Sequence, residues 1–169
     1  SPSNDDIKEF ENKQEAYLKD KESLKQYFGK PTVTKSGIKK LVYGNIGKAE
    51  DVQSVIQNSG EGIGLFRTEF LFMDRQSEPS EEEQFEAYST VAKAMDGKEV
   101  IIRTLDVGGD KDIPYLNIEK EENPFLGHRA IRYCLDNKEL FKKQLRALLR
   151  ASVYGNIKIM LPLVTCVEE

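Results

Sequence analysis

Gly62-Ile63-Gly64-Leu65-Phe66-Arg67-Thr68-Glu69 and Val100-Ile101-Ile102-Arg103-Thr104-Leu105-Asp106 share one pattern: a short apolar run ends in Arg-Thr, with a carboxylate close behind. A continuous apolar run of this length reads as a strand buried on both faces, as in a parallel sheet. Arginine is almost never fully buried without a partner, so a core strand holds one only at its end. Two such arginines at the same ends of two parallel strands point guanidinium forks into one mouth. A planar fork grips phosphate or carboxylate oxygens in a bidentate way, so the mouth suits a small anionic ligand.

Working outward, strand and helix signals alternate from residue 36 onward. Ile38 to Asn45 reads as a first strand, followed by a helix over about 48–58 with Val52, Val55 and Ile56 inward. Gly60 stops that helix, and residues 62–67 form the second strand. Ser80-Glu81-Glu82-Glu83 is a capping box that opens a helix running to about Met95. Asp96-Gly97 turns into a third strand over 99–105. A helical region over about 127–151 is notched at Asp136-Asn137, where Asn137 is placed to cap a second helix. The fourth strand is Ile157 to Leu161, closed by Pro162. This βα alternation predicts a parallel sheet with right-handed crossovers.

Before residue 36 the chain differs. Residues from about 4 to 28 form a charged helix whose Ile7, Phe10, Tyr17, Leu24 and Phe28 lie near a heptad seam, interrupted by Gln14 and Lys21. Gly29 and Pro31 end it. Such a seam buries little, so the segment reads either as a solvated leader or as a connector. At the other end, Thr165-Cys166-Val167-Glu168 reads as a helix start with no helix behind it, which points to a piece of a longer protein.

Composition narrows the function. The chain has 169 residues, enough for a real core, and 25 Lys and Arg against 29 Asp and Glu give a formal charge of −4. That balance argues against nucleic acid as a partner. No apolar stretch is long enough to span a bilayer, and Cys134 and Cys166 fit no metal or redox spacing, so a reducing, cytoplasmic setting is expected. No Walker loop or dinucleotide fingerprint is present.

Other residues gather at the same strand ends, where ligands bind in βα folds. Asn45 ends the first strand and reads as a substrate-oxygen holder or a helix cap. Gly108-Gly109-Asp110-Lys111 reads as an anion-cradling loop carrying Lys111, or as an ordinary turn. Glu69 and Asp106 read as arginine partners ahead of bases. One of Arg129 and Arg132 is placed to reach the mouth. His128, the only histidine, has no visible carboxylate partner, which argues against catalysis.

Residues 62–73, 101–111 and 121–132 (Glu-Glu-Asn-Pro-Phe-Leu-Gly-His-Arg-Ala-Ile-Arg) resemble enzyme I of the bacterial sugar phosphotransferase system, the phosphoenolpyruvate–protein phosphotransferases. The likeness runs from about residue 41 to the end. The first motif alone also admits a fragment of a pyruvate phosphate dikinase or phosphoenolpyruvate synthase. A non-catalytic, anion-sensing βα module remains a third reading. The resemblance implies a partial, first-half TIM-type βα barrel over 36–169, preceded by a helical linker over 1–35. It implies that Arg67 and Arg103 grip the phosphate of phosphoenolpyruvate, with Arg129, Asn45 and Lys111 as active-site support. It implies Mg2+, whose acidic ligands come later in the barrel, together with the cysteine acid. The phosphorylated histidine lies upstream, and through it the phosphoryl group passes to HPr in sugar uptake. Family enzymes dimerise through this domain. His128 stands where an aromatic residue is common. This stretch alone is therefore expected to lack transferase activity and to contain no catalytic or metal-ligating residue.

Overall fold

A computed structural model describes residues 2–108 and 113–169, in two compact units over 1–40 and 41–169. The first unit is built on helix α1, Asn4–Leu24, which Ser3 and Asp6 open with a reciprocal capping box. No residue of α1 is buried, and Ile7, Phe10, Tyr17 and Leu24 of the seam are all exposed. The first strand begins later than the sequence predicts. Residues 32–40 instead fold back on themselves: Thr34 N donates to Ile38 O at 2.9 Å and Lys40 N to Thr32 O at 2.8 Å. Gly37, at φ +82°, supplies the left-handed turn that makes this possible.

The second unit runs β1 (Tyr43–Ile46), α2 (Asp51–Gln57), β2 (Gly62–Arg67), α3 (Glu81–Ala94), β3 (Val100–Arg103), α4 (Ile131–Asp136), α5 (Lys138–Ala151) and β4 (Ile157–Met160). The four strands form one sheet in the order β1-β2-β3-β4, and every neighbouring pair is parallel. Sequential parallel neighbours joined through helices are the arrangement of a βα barrel segment.

Burial along β2 and β3 corrects the expectation that both faces are covered. Ile63, Phe66, Val100 and Ile102 are buried, while Leu65, Arg67, Ile101 and Arg103 are only half-buried. The covered face packs on Tyr88 and Val91 of α3, on Met95 just past its end, and on Ala147, Leu148 and Ala151 of α5. The small side chains of Ala147 and Ala151 let α5 approach closely. The other face carries the arginines. A second apolar cluster, including Phe72, Leu105, Val107, Tyr133 and Cys134, fills the space under the loops at the carboxyl ends of the strands. Ser80 and Glu83 form the expected capping box at α3. Asn137 does not cap α5: its amide donates to Tyr133 O at 3.0 Å.

Candidate functional site

Arg67 and Arg103 are the last residues of β2 and β3 and are direct Cα partners across that parallel pair. Paired positions on neighbouring strands lie roughly 4.8 Å apart and project to the same side of the sheet. The two guanidinium groups therefore start side by side on the face opposite the helices. Asn45 of β1 pairs with Leu65, two residues short of Arg67, and so shares that face; it is exposed. The loop after β1 is pinned by Asp51, whose carboxylate accepts from Gly47 N at 2.9 Å and Lys48 N at 3.0 Å. Those two backbone bonds, and then the nearby cations of Lys48 and Arg67, hold the Asp51 carboxyl below its ordinary value.

The forks are held by carboxylates. Arg103 Nη2 donates to Glu69 Oε1 at 2.5 Å, and its Nη1 lies 3.0 Å from Asp106 Oδ2. The other oxygen of Asp106 accepts from Arg129 Nε at 3.1 Å and Nη2 at 2.9 Å. Glu69 (3% exposed), Asp106 (8%) and Arg129 (4%) are buried, so these charges are paired where water is scarce. Arg129 is aimed by Ala130, which adopts φ 52°, ψ −122° and donates its N–H to Val107 O at 3.1 Å. That backbone break is also why α4 starts at Ile131 instead of near residue 127. Arg67 differs from its neighbours. It makes no ion pair among the described residues; its guanidinium lies 4.8 Å from the centre of the Phe70 ring, and its Nε is buried with no hydrogen-bond partner. Arg103 Nε is likewise buried and unmet. The Arg103 fork, held by carboxylates, and the Arg67 guanidinium, lying over the Phe70 ring, are suited to gripping an anionic oxygen.

The threonines that follow the arginines behave alike. Thr68 Oγ1 donates to Arg103 O at 2.7 Å, and Thr104 donates to Met160 O from its N at 2.9 Å and its Oγ1 at 3.4 Å. Behind them runs a buried polar chain that the sequence reading missed. Gln144 Nε2 donates to Thr68 Oγ1 and to Tyr88 Oη, both at 3.2 Å, while its Oε1 accepts from Leu105 N at 2.9 Å. Tyr88 Oη donates to Gln84 Oε1 at 3.1 Å, and Gln84 Nε2 to Pro79 O at 3.2 Å. A signal was available: Gln144 lies four residues from Leu140 and from Leu148, on the apolar stripe of α5, where an amide needs a partner.

The remaining candidates scatter. Lys111 and the Gly109–Asp112 loop lie outside the described residues. Arg132 donates to Leu126 O at 3.1 Å and Gly127 O at 2.8 Å, apart from Arg129. His128 does have a carboxylate partner: its Nε2 is 2.9 Å from Asp136 Oδ2, across the turn into α4. Cys134 is buried, and burial pushes its thiol up to about 12. A cavity of about 700 Å³ is lined by Lys48 and Ala49 ahead of α2, by the segment from Phe70 to Arg75 and by Glu86 and Thr90 of α3, and of the arginine site it includes only Phe70. Among the described residues, no group of three or more His, Cys, Asp or Glu side chains is placed to hold a metal ion. No helix among them is long and apolar enough to cross a membrane.

Comparison with known proteins gives the same direction. The model of the family described as "PEP-utilising enzyme, PEP-binding domain" matches residues 21–169. The phosphoenolpyruvate-protein phosphotransferase of Bacillus subtilis (strain 168) is 54% identical over 168 residues, which is 99% of this chain and 30% of that protein. Those of Staphylococcus epidermidis (52% over 168 residues; 99% and 29%) and Staphylococcus carnosus (53% over 169 residues; 100% and 30%) are equally similar. The chain thus spans about 30% of the length of the curated relatives it matches.

Proposed function

The chain belongs to the family of PEP-binding domains of PEP-utilising enzymes, and from that premise we propose that it supplies part of a phosphoenolpyruvate site in a phosphoenolpyruvate–protein phosphotransferase. On this reading residues 36–169 are the first half of the barrel and residues 1–35 a linker to a domain carrying the phosphorylated histidine. The observation that carries it is the pairing of Arg67 with Arg103 at the ends of adjacent parallel strands.

The chemistry follows from charge. Phosphoryl transfer needs the phosphoenolpyruvate phosphate held in line with its acceptor and its charge neutralised, with little covalent work for the protein. Arg67 and Arg103 would bind the phosphate oxygens. Glu69 and Asp106 keep the Arg103 fork oriented, and Asp106 extends that hold to Arg129. Asn45 would stand at the rim, with Lys111 as further support. The phosphoryl group would pass to a histidine on the preceding domain and then to HPr, in a cytoplasmic homodimer. Magnesium belongs to this reading, but the described residues offer it no ligand set. Its ligands would lie in a part of the protein outside this stretch.

Calorimetric titration of the full-length protein containing this chain with phosphoenolpyruvate tests the reading. Each of Arg67→Ala and Arg103→Ala should weaken binding by at least about a hundredfold, since a charge-assisted, bidentate contact is removed in a partly desolvated site. Two variants that bind like the parent would overturn the assignment.

A further inference from the structure

We propose that Thr68, Thr104 and Gln144 are positioning residues that set the relative placement of the two strand-end arginines; this rests on the reading of Arg67 and Arg103 as the phosphate grip. The duplicated Arg-Thr signature has a duplicated structural consequence. Thr68 Oγ1 crosses from the end of β2 to the carbonyl of Arg103, the last residue of β3. Thr104 crosses from the end of β3 to the carbonyl of Met160, the last residue of β4. Each threonine straps its own strand end to the next, one residue beyond an arginine or in register with one. Both threonines are 0% exposed, so water does not compete for these bonds.

Gln144 ties the two exits together from α5. Its single planar amide donates to Thr68, the neighbour of Arg67, and accepts from Leu105 N, two residues past Arg103. Packing alone does not require these residue types. Valine has nearly the shape of threonine and leucine fills most of the space of glutamine, but leucine at 144 would leave the buried N–H of Leu105 unmet. What the polar groups add is a fixed spacing between two strand ends. Grip on one phosphate by two forks is sensitive to displacements of well under 1 Å.

The test uses the full-length protein, with phosphoenolpyruvate as the titrant and thermal melting in parallel. Thr68→Val should weaken binding about tenfold, with the stoichiometry unchanged at a temperature well below the melting transition. Thr68→Ser, which keeps the hydroxyl, should return to within about threefold of the parent. Thr68→Val combined with Gln144→Leu should weaken binding by less than the product of the two single effects, because both break one link. If Thr68→Val binds within twofold of the parent while Arg67→Ala and Arg103→Ala lose affinity, the threonine and glutamine are merely structural and the proposal is overturned. If the arginine variants also bind like the parent, the phosphate-grip reading itself has failed, and the positioning role goes with it. Should Gln144→Leu not fold, the Thr68→Val and Thr68→Ser pair decides alone.

Discussion

Tyr88→Phe removes one oxygen from the buried polar chain behind the arginines and leaves the ring in place. Tyr88 is 0% exposed and meets Phe66 edge-on, with centroids 5.9 Å apart and planes at 84°, so the apolar contact survives the change. What is lost is the donor to Gln84 Oε1 and one acceptor for Gln144 Nε2. A buried polar group left unmet costs about 1–3 kcal/mol. Gln144 Nε2 keeps Thr68, so its loss falls at the lower end, and the total comes to roughly 2–4 kcal/mol. For a domain of this size that lowers the melting temperature by roughly 5–15 °C. The variant has a second signature. Burial raises the Tyr88 phenol well above its ordinary value, so the folded chain keeps it neutral where the unfolded chain ionises. Its contribution is therefore whole below about pH 10 and is lost as pH rises, by up to about 1.4 kcal/mol per unit. Tyr115 and Tyr133, also raised by burial, contribute in the same sense. Urea unfolding across pH 7 to 11 should show Tyr88→Phe less stable at neutral pH and less steeply destabilised in alkali. Neutral-pH stability within about 0.5 kcal/mol of the parent, with the same alkaline slope, would refute the polar chain as described.

Three further outcomes are expected. Glu83 accepts from Ser80 N and pairs with Arg75, which together bring its carboxyl from 4.5 down to about 2; its contribution is present above the ordinary value and lost as pH falls toward 2, so Glu83→Gln should flatten the acid limb of the unfolding profile in that window. With native protein at pH 8, a thiol reagent should modify the exposed Cys166 and spare the buried Cys134, whose pKa is pushed to about 12; rapid reaction of both thiols before denaturant is added would contradict its burial. Gly155→Ala would bring a methyl group within 2.8 Å of Ala92 O, so calorimetric melting should show a loss of about 1–3 kcal/mol, and no loss would mean that α3 and the segment before β4 lie farther apart.

What the sequence conveyed was local. The limits of β2 and the start of α3 were legible because glycine and a Ser-x-x-Glu box mark them in the chain itself. The arginines stood out because a charge at the end of an apolar run needs a reason. The start of β1 was misplaced because a turn at Gly37, in the other compact unit, consumed Ile38 and its neighbours. The start of α4 was misplaced because Ala130 holds a conformation that no residue type advertises. Glu69 and Asp106 were legible as arginine partners, but which arginine each meets was not, nor was the place of Gln144. Glu69 meets Arg103 across 34 residues and Gln144 meets Thr68 across 76, distances at which no periodicity carries information. The pairing of His128 with Asp136 spans only eight residues but crosses a break between elements, so no helical spacing foretold it.

The most direct measurement is an NMR titration of the arginine Nε–Hε signals of the full-length protein with phosphoenolpyruvate. If a single phosphate bridges them, Arg67 and Arg103 should move together and give one dissociation constant. Signals that stay fixed, or that move with two unrelated midpoints, would contradict a shared grip.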